Sequence, residues 1–128
     1  MKTDTLFLLI GTGLAAITVM IGAFGAHALH DFLQQNNRIA TFHTAVEYQF
    51  FHTFGILVTG LIYKKTPHIL IKVAGLLFMA GIILFSGSLY LLCLTHVSKW
   101  GAITPLGGLS FIVGWVFLAI GVYKVRKN

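Results

Sequence analysis

The sequence predicts an all-α integral membrane protein: one domain, residues 1–128, folded as a bundle of four transmembrane helices with both termini cytoplasmic. Three observations carry this reading. Hydrophobic residues make up 57% of the chain and charged residues 9%, whereas a soluble domain carries roughly 25% charged residues to cover its wet surface. The apolar residues gather into four runs, about 5–28, 42–63, 69–94 and 101–123, each close to the ~20 residues a helix needs to cross the hydrocarbon core. The cations collect at the ends of these runs. With four crossings, one side holds Lys2, Lys64, Lys65, Lys72, Lys124, Arg126 and Lys127, and the other holds Arg38 and Lys99. The positive-inside rule then puts both termini in the cytoplasm. The same placement assigns the net charge of +6 to contacts with anionic lipid heads at that face rather than to nucleic acid.

The first run imitates a secretory signal, with a basic start and Ala26-His27-Ala28 at its end. Its apolar stretch from Leu6 to Phe24 exceeds the ~7–15 residues of a signal core, so a retained helix is expected. Gly11, Ala15, Thr18, Gly22 and Ala26 recur at three- and four-residue spacing. Such a stripe lets a second helix backbone approach closely. Residues 29–41 form the longest polar connection. Leu29, Phe32 and Leu33 would share one side of a short interfacial helix, an irregular loop being the alternative, and Asn36-Asn37 is a turn signal.

The second run opens near Arg38 or Phe42 and continues to Tyr63. Pro67 disfavours helix at the residue before it. The third run carries Lys72, which snorkels to the near interface, and the lone Cys93, a small packing residue with no partner for an intrachain disulfide. In the fourth run Pro105 falls in the first turns, where a missing amide costs little. Gly107, Gly114 and Gly121 repeat every seven residues with Ser110 between, a second close-packing stripe.

The second run is the unusual one. It holds His43, Glu47, Tyr48, Gln49 and His52, and an ionisable group in a membrane segment is expected to face protein or water rather than lipid. Entering from the outer side, Glu47 lies roughly 8 Å deep and His52 roughly 15 Å deep. His27, Ser86, Ser88 and Thr104 fall at the same outer half of the other helices. A polar cluster of His27, His43, Glu47, Tyr48, His52, Ser86, Ser88 and Thr104 is therefore the candidate site. Glu47 is expected to face the bundle within hydrogen-bond reach of His27, His43, Ser86, Ser88 or Thr104, because a carboxyl group in lipid needs a partner. His43 and Glu47 share one helix face, and His52 lies on the opposite one.

Four readings of that cluster compete. The polar groups fix helix packing; they hold haem or a metal; they carry protons in a small transporter; or the chain is an accessory subunit seating partner helices, a second copy included. No Cys pair, no His-x-x-x-His and no Glu-x-x-His occurs, so no cofactor or metal is expected. A transporter of four helices would need to dimerise to enclose a path. No Gly-x-Ser-x-Gly elbow, phosphate loop or dinucleotide fingerprint points to an enzyme. The expectation is a non-enzymatic structural or accessory protein. A proton-linked transporter or cofactor-binding membrane protein that uses the outer-half cluster is the alternative.

Four segments also carry a resemblance. They are Gly22-Ala-Phe-Gly-Ala-His-Ala-Leu29, Thr44-Ala-Val-Glu-Tyr-Gln-Phe-Phe-His52, Leu84-Phe-Ser-Gly-Ser-Leu-Tyr90 and Thr104-Pro-Leu-Gly-Gly-Leu109. Together and in this order they resemble a family of uncharacterised bacterial membrane proteins that has a small vertebrate four-helix relative. The resemblance implies a multi-pass plasma-membrane protein and carries over no catalytic residue. Its recurring motif positions include His27, Glu47, Tyr48, His52, Ser86 and Ser88.

Overall fold

The computed structural model describes residues 1–127, and every regular element among them is helical. In chain order these are α1 (Thr3–Ala26), α2 (His30–Gln35), α3 (Ile39–Lys65), α4 (Ile69–Gly81), a π-helical segment (Ile82–Gly87), α5 (Ser88–Thr95), a 3₁₀ turn (Ser98–Ala102) and α6 (Thr104–Lys127). The segment after α1 is helical at α2, not an irregular loop. The fourth long helix starts at Thr104, three residues later than the apolar run begins, because the 3₁₀ turn takes up residues 98–102.

The ends follow from local chemistry. Asn37 takes a left-handed conformation with φ 54°, which asparagine tolerates better than most residues, and it separates α2 from α3. Helix α3 stops at Lys65, two residues before Pro67, as the restriction on the pre-proline residue requires. The His68 ring accepts a hydrogen bond from the Leu70 amide at 3.2 Å and so caps the start of α4. His96, with φ 59°, ends α5 in the left-handed region.

Three helical stretches are long and apolar enough to cross a membrane: Thr3–Ala26, Ile69–Thr95 and Ser98–Lys127. Helix α3 has 27 residues, about 40 Å at 1.5 Å per residue, and is more polar than the other three. It packs along α1 on one side and along α4 on the other, and α4 in turn packs along α6.

Each of these contacts is antiparallel. Between α1 and α3, Phe7 meets Gly60, Gly11 meets Leu57, Thr18 meets Gln49 and Gly25 meets Phe42. Between the third long helix and α6, Ile71 meets Gly121, Phe78 meets Gly114, Phe85 meets Gly107 and Ser88 meets Thr104. Lipid tails are as apolar as leucine, so association in a bilayer rests on close packing and hydrogen bonds rather than on burial from water. Glycine permits the packing. A Cβ on Gly11 would lie 2.6 Å from Leu57, on Gly114 2.8 Å from Phe78, and on Gly121 2.7 Å from Ile71. On Gly107 it would collide with the Phe85 backbone.

The stripe on α1 differs from its sequence pattern at one end. The buried residues are Phe7, Gly11, Thr18 and Gly25; Ala26 is exposed. Gly22 is half-buried, and a Cβ there would sit 3.4 Å from Val46, an ordinary contact. The closest approach at that end belongs to Gly25, against the Phe42 ring. The reason is rotation: residues 11, 18 and 25 recur every seven positions, Phe7 lies one turn before them on the same face, and Gly22 lies beside that line.

The main core consists of Phe7, Ile56, Ile71, Ala74, Phe78, Ile82, Phe111 and Leu118. At the α2 end a smaller cluster of Leu33, Phe42 and Cys93 tucks α2 over the bundle.

Candidate functional site

Helix α3 positions the polar interior. Its buried residues include Ala45, Gln49, His52, Ile56 and Thr59, spaced by three or four so that they share one face. Gln49 is 3% exposed and joins three helices. Tyr90 Oη donates to Gln49 Oε1 at 2.7 Å. Gln49 Nε2 donates to Thr18 Oγ1 at 2.9 Å, and Thr18 Oγ1 donates to the Leu14 carbonyl at 2.6 Å. A neutral amide suits this place because it offers both an acceptor and donors, whereas an ionised carboxylate only accepts.

Two further links lie in the same half of the bundle. Ser86 Oγ donates to the Ala45 carbonyl at 2.7 Å. Ser88 Oγ lies 2.7 Å from Thr104 Oγ1 and donates to the Phe85 carbonyl at 2.9 Å. The π-helical segment ends at Gly87, between the two serines. Its wide turns and the two-residue offset aim Ser86 at α3 and Ser88 at α6. Nearer the middle, Ser110 Oγ donates to the Leu77 carbonyl at 2.7 Å.

His52 is 4% exposed and lies flat against Phe111, ring centroids 3.4 Å apart and 8° from parallel. Phe51, Phe78, Tyr48 and Trp115 surround it at 5.3–6.0 Å. Its Nδ1 is 2.7 Å from the Tyr48 carbonyl. A carbonyl only accepts, so Nδ1 is the donor in this contact.

Glu47 requires a correction. From the sequence it is expected to face the bundle, yet its side chain is 63% exposed and points outward. Its neighbour is His43, 72% exposed, with Nδ1 3.3 Å from Glu47 Oε1. The partner is one of those anticipated; the facing is not. His27 is likewise exposed, at the C-terminal end of α1. The eight candidate residues therefore do not form one cluster. Ser86 links to α3, Ser88 pairs with Thr104, Tyr48 and His52 stand in an aromatic layer, and His43 and Glu47 pair on the outer surface of α3. Gln49 fills the interior position expected of Glu47. Gln49 and Tyr90, with Thr18, were outside the candidate set. Their common depth on three antiparallel helices was the available signal.

Among the described residues no group of three or more His, Cys, Asp or Glu side chains stands where it could hold a metal ion.

The family model described as "Protein of unknown function (DUF423)" matches residues 21–108. The chain belongs to the DUF423 family. That match spans Gln49, the π-helical segment and the His43–Glu47 pair. The UPF0382 membrane protein YwdK of Bacillus subtilis is 40% identical over 119 residues, 92% of this chain and 96% of that protein. A UPF0382 membrane protein of Staphylococcus epidermidis is 46% identical over 118 residues, 92% and 95% of the two chains. The UPF0382 inner membrane protein YgdD of Escherichia coli is 36% identical over 112 residues, 88% and 85%. No solved structure matches. This DUF423 chain is thus a helical membrane protein of a bacterial family without an assigned biochemical role.

Proposed function

We propose that the protein is a four-span plasma-membrane protein with both termini cytoplasmic, serving as a non-enzymatic structural or accessory component that offers the outer face of α3 to a membrane-embedded partner. The carrying observation is the contrast between Gln49 and Glu47. Interior polar groups bond helix to helix, while the one acid of α3 turns outward with His43. Acids within membrane spans almost always face protein or water rather than lipid, and we read this outward pair as a surface that protein covers. The four-span reading adds α3 to the three apolar stretches: its length suffices, and two neighbours flank it. The orientation rests on the seven cations at the end holding the termini against Arg38 and Lys99 at the α2 end.

Reporter fusions are expected to place residues 66–68 and the chain after Tyr123 in the cytoplasm, and the turn at Asn36 outside. Cytoplasmic labelling at Asn36 would overturn the orientation. The role is tested by Glu47→Leu. A lone acid facing lipid would be relieved by leucine, and the variant would melt higher with its native-gel size unchanged. An acid that seats a partner would show the opposite. We expect the wild type to migrate as an assembly larger than its monomer after mild solubilisation, and the Glu47→Leu variant to migrate as the monomer while remaining folded.

A further inference from the structure

We infer that the occupant of the outer α3 face is a second copy of this chain, bound so that His43 and Glu47 of the two copies form one four-membered cluster. This rests on the reading of that face as an interaction surface and names its partner. The face is long and continuous. His43, Glu47, Phe50, Phe54, Val58 and Leu61 are exposed at spacings of three and four along α3, with Phe50 51% and Phe54 55% exposed.

Charge complementarity points to self-association. The face carries an acid and a base one helical turn apart, and it is the same on every copy. Copies inserted in the same orientation are related by a two-fold axis along the membrane normal, which makes the contact isologous. Residues at equal depth then meet. Each Glu47 carboxylate has lone pairs beyond the one directed at its own His43, and the second copy's His43 supplies a second ring nitrogen. A partner of another sequence would need this pattern by coincidence; a second copy has it by symmetry.

Shape agrees. Phe50 and Phe54 lie 5.5 Å apart, ring to ring. Beside them a depression of about 460 Å³ is lined by Glu47, Tyr48, Phe50, Phe51 and His52. An aromatic ring of the second copy fits there, and symmetry makes that contact twice. Helices in lipid associate through such packing and through polar pairs.

The test replaces Phe54 with the photo-crosslinking analogue p-benzoylphenylalanine, which preserves the aromatic surface, in cells carrying two differently tagged copies. Ile83 and Ile112, exposed on other helices at 71% and 63%, serve as control sites. The expected product is an adduct of twice the chain's mass bearing both tags, formed at Phe54 and absent at the control sites. Glu47→Leu is expected to reduce it to the control level, and the exchange His43→Glu with Glu47→His, introduced together, is expected to restore it. A Phe54 adduct with a different protein, lacking the second tag, would overturn the second copy while leaving the face an interaction surface. Absence of any protein adduct above the controls would overturn both readings.

Discussion

Alanine at Gly107 is expected to prevent the third long helix and α6 from closing. A Cβ there would collide with the Phe85 amide nitrogen and lie 2.7 Å from Phe85 Cα. A flexible side chain at such a contact could swing aside, but backbone cannot. Phe85 also belongs to the π-helical segment, and its ring stacks on Tyr48 at 4.3 Å, so retreat would disturb α3 as well. Overpacking a fitted core costs about 1–3 kcal/mol, and a backbone collision belongs at or above the top of that range. Gly107→Ala is therefore expected to lose most of its folded yield or melt far below the parent in mild detergent. Gly13→Ala is the control, since nothing lies within 4 Å of the added Cβ, and it should melt with the parent. Gly22→Ala, in ordinary contact with Val46, should shift little. Equal melting of Gly107→Ala and Gly13→Ala would mean that the two helices are not in contact at Phe85.

The second large effect is expected at Gln49. Gln49→Ala removes both the acceptor for Tyr90 and the donor to Thr18, and it leaves a cavity between three helices. Interhelical hydrogen bonds in membranes average about 0.6 kcal/mol each. A buried hydroxyl left without a partner costs about 1–3 kcal/mol, so the total expected is about 2–4 kcal/mol. Tyr90→Phe removes one bond and leaves an acceptor on a flexible amide, so it should cost about 1 kcal/mol or less. The two residues should also be coupled: in a double-mutant cycle, Tyr90→Phe should recover part of the loss once Gln49 is alanine, because it removes the hydroxyl left without a partner. Full additivity in denaturant or thermal unfolding would show that Tyr90 and Gln49 do not bond. Glu47→Gln, by contrast, should leave folding intact, because its side chain takes no part in the interior.

The contrast between residues 47 and 49 shows where sequence reasoning stopped. Composition alone supports a membrane class, because 9% charge cannot cover a water-facing surface. Helix ends were legible where local chemistry decides them, as at Asn37 and Pro67. The concentration of polar side chains toward the α2 end was legible from depth counting, since rise per residue does not depend on packing. Rotation was not legible. Glu47, Tyr48 and Gln49 are consecutive, and at 100° per residue they point in three directions. Phenylalanines flank all of them, so no single apolar stripe states which direction is outward.

By itself, then, the sequence determined the helical membrane character of the chain, several of its boundaries and the level at which its polar residues lie. These depend on composition and on the geometry of one helix at a time. Only the tertiary structure decided which residues face inward. Thr18 and Tyr90 on neighbouring helices require an amide between them, and Gly25, Gly107 and Gly114 set how near those helices come. The π-helical segment was decided the same way: its turns are stabilised by what Ser86 and Ser88 meet on α3 and α6, contacts between residues 16 and 41 positions apart. With Gln49 turned toward Thr18 and Tyr90, Glu47, two residues earlier and about 200° round the helix, is left on the outer surface.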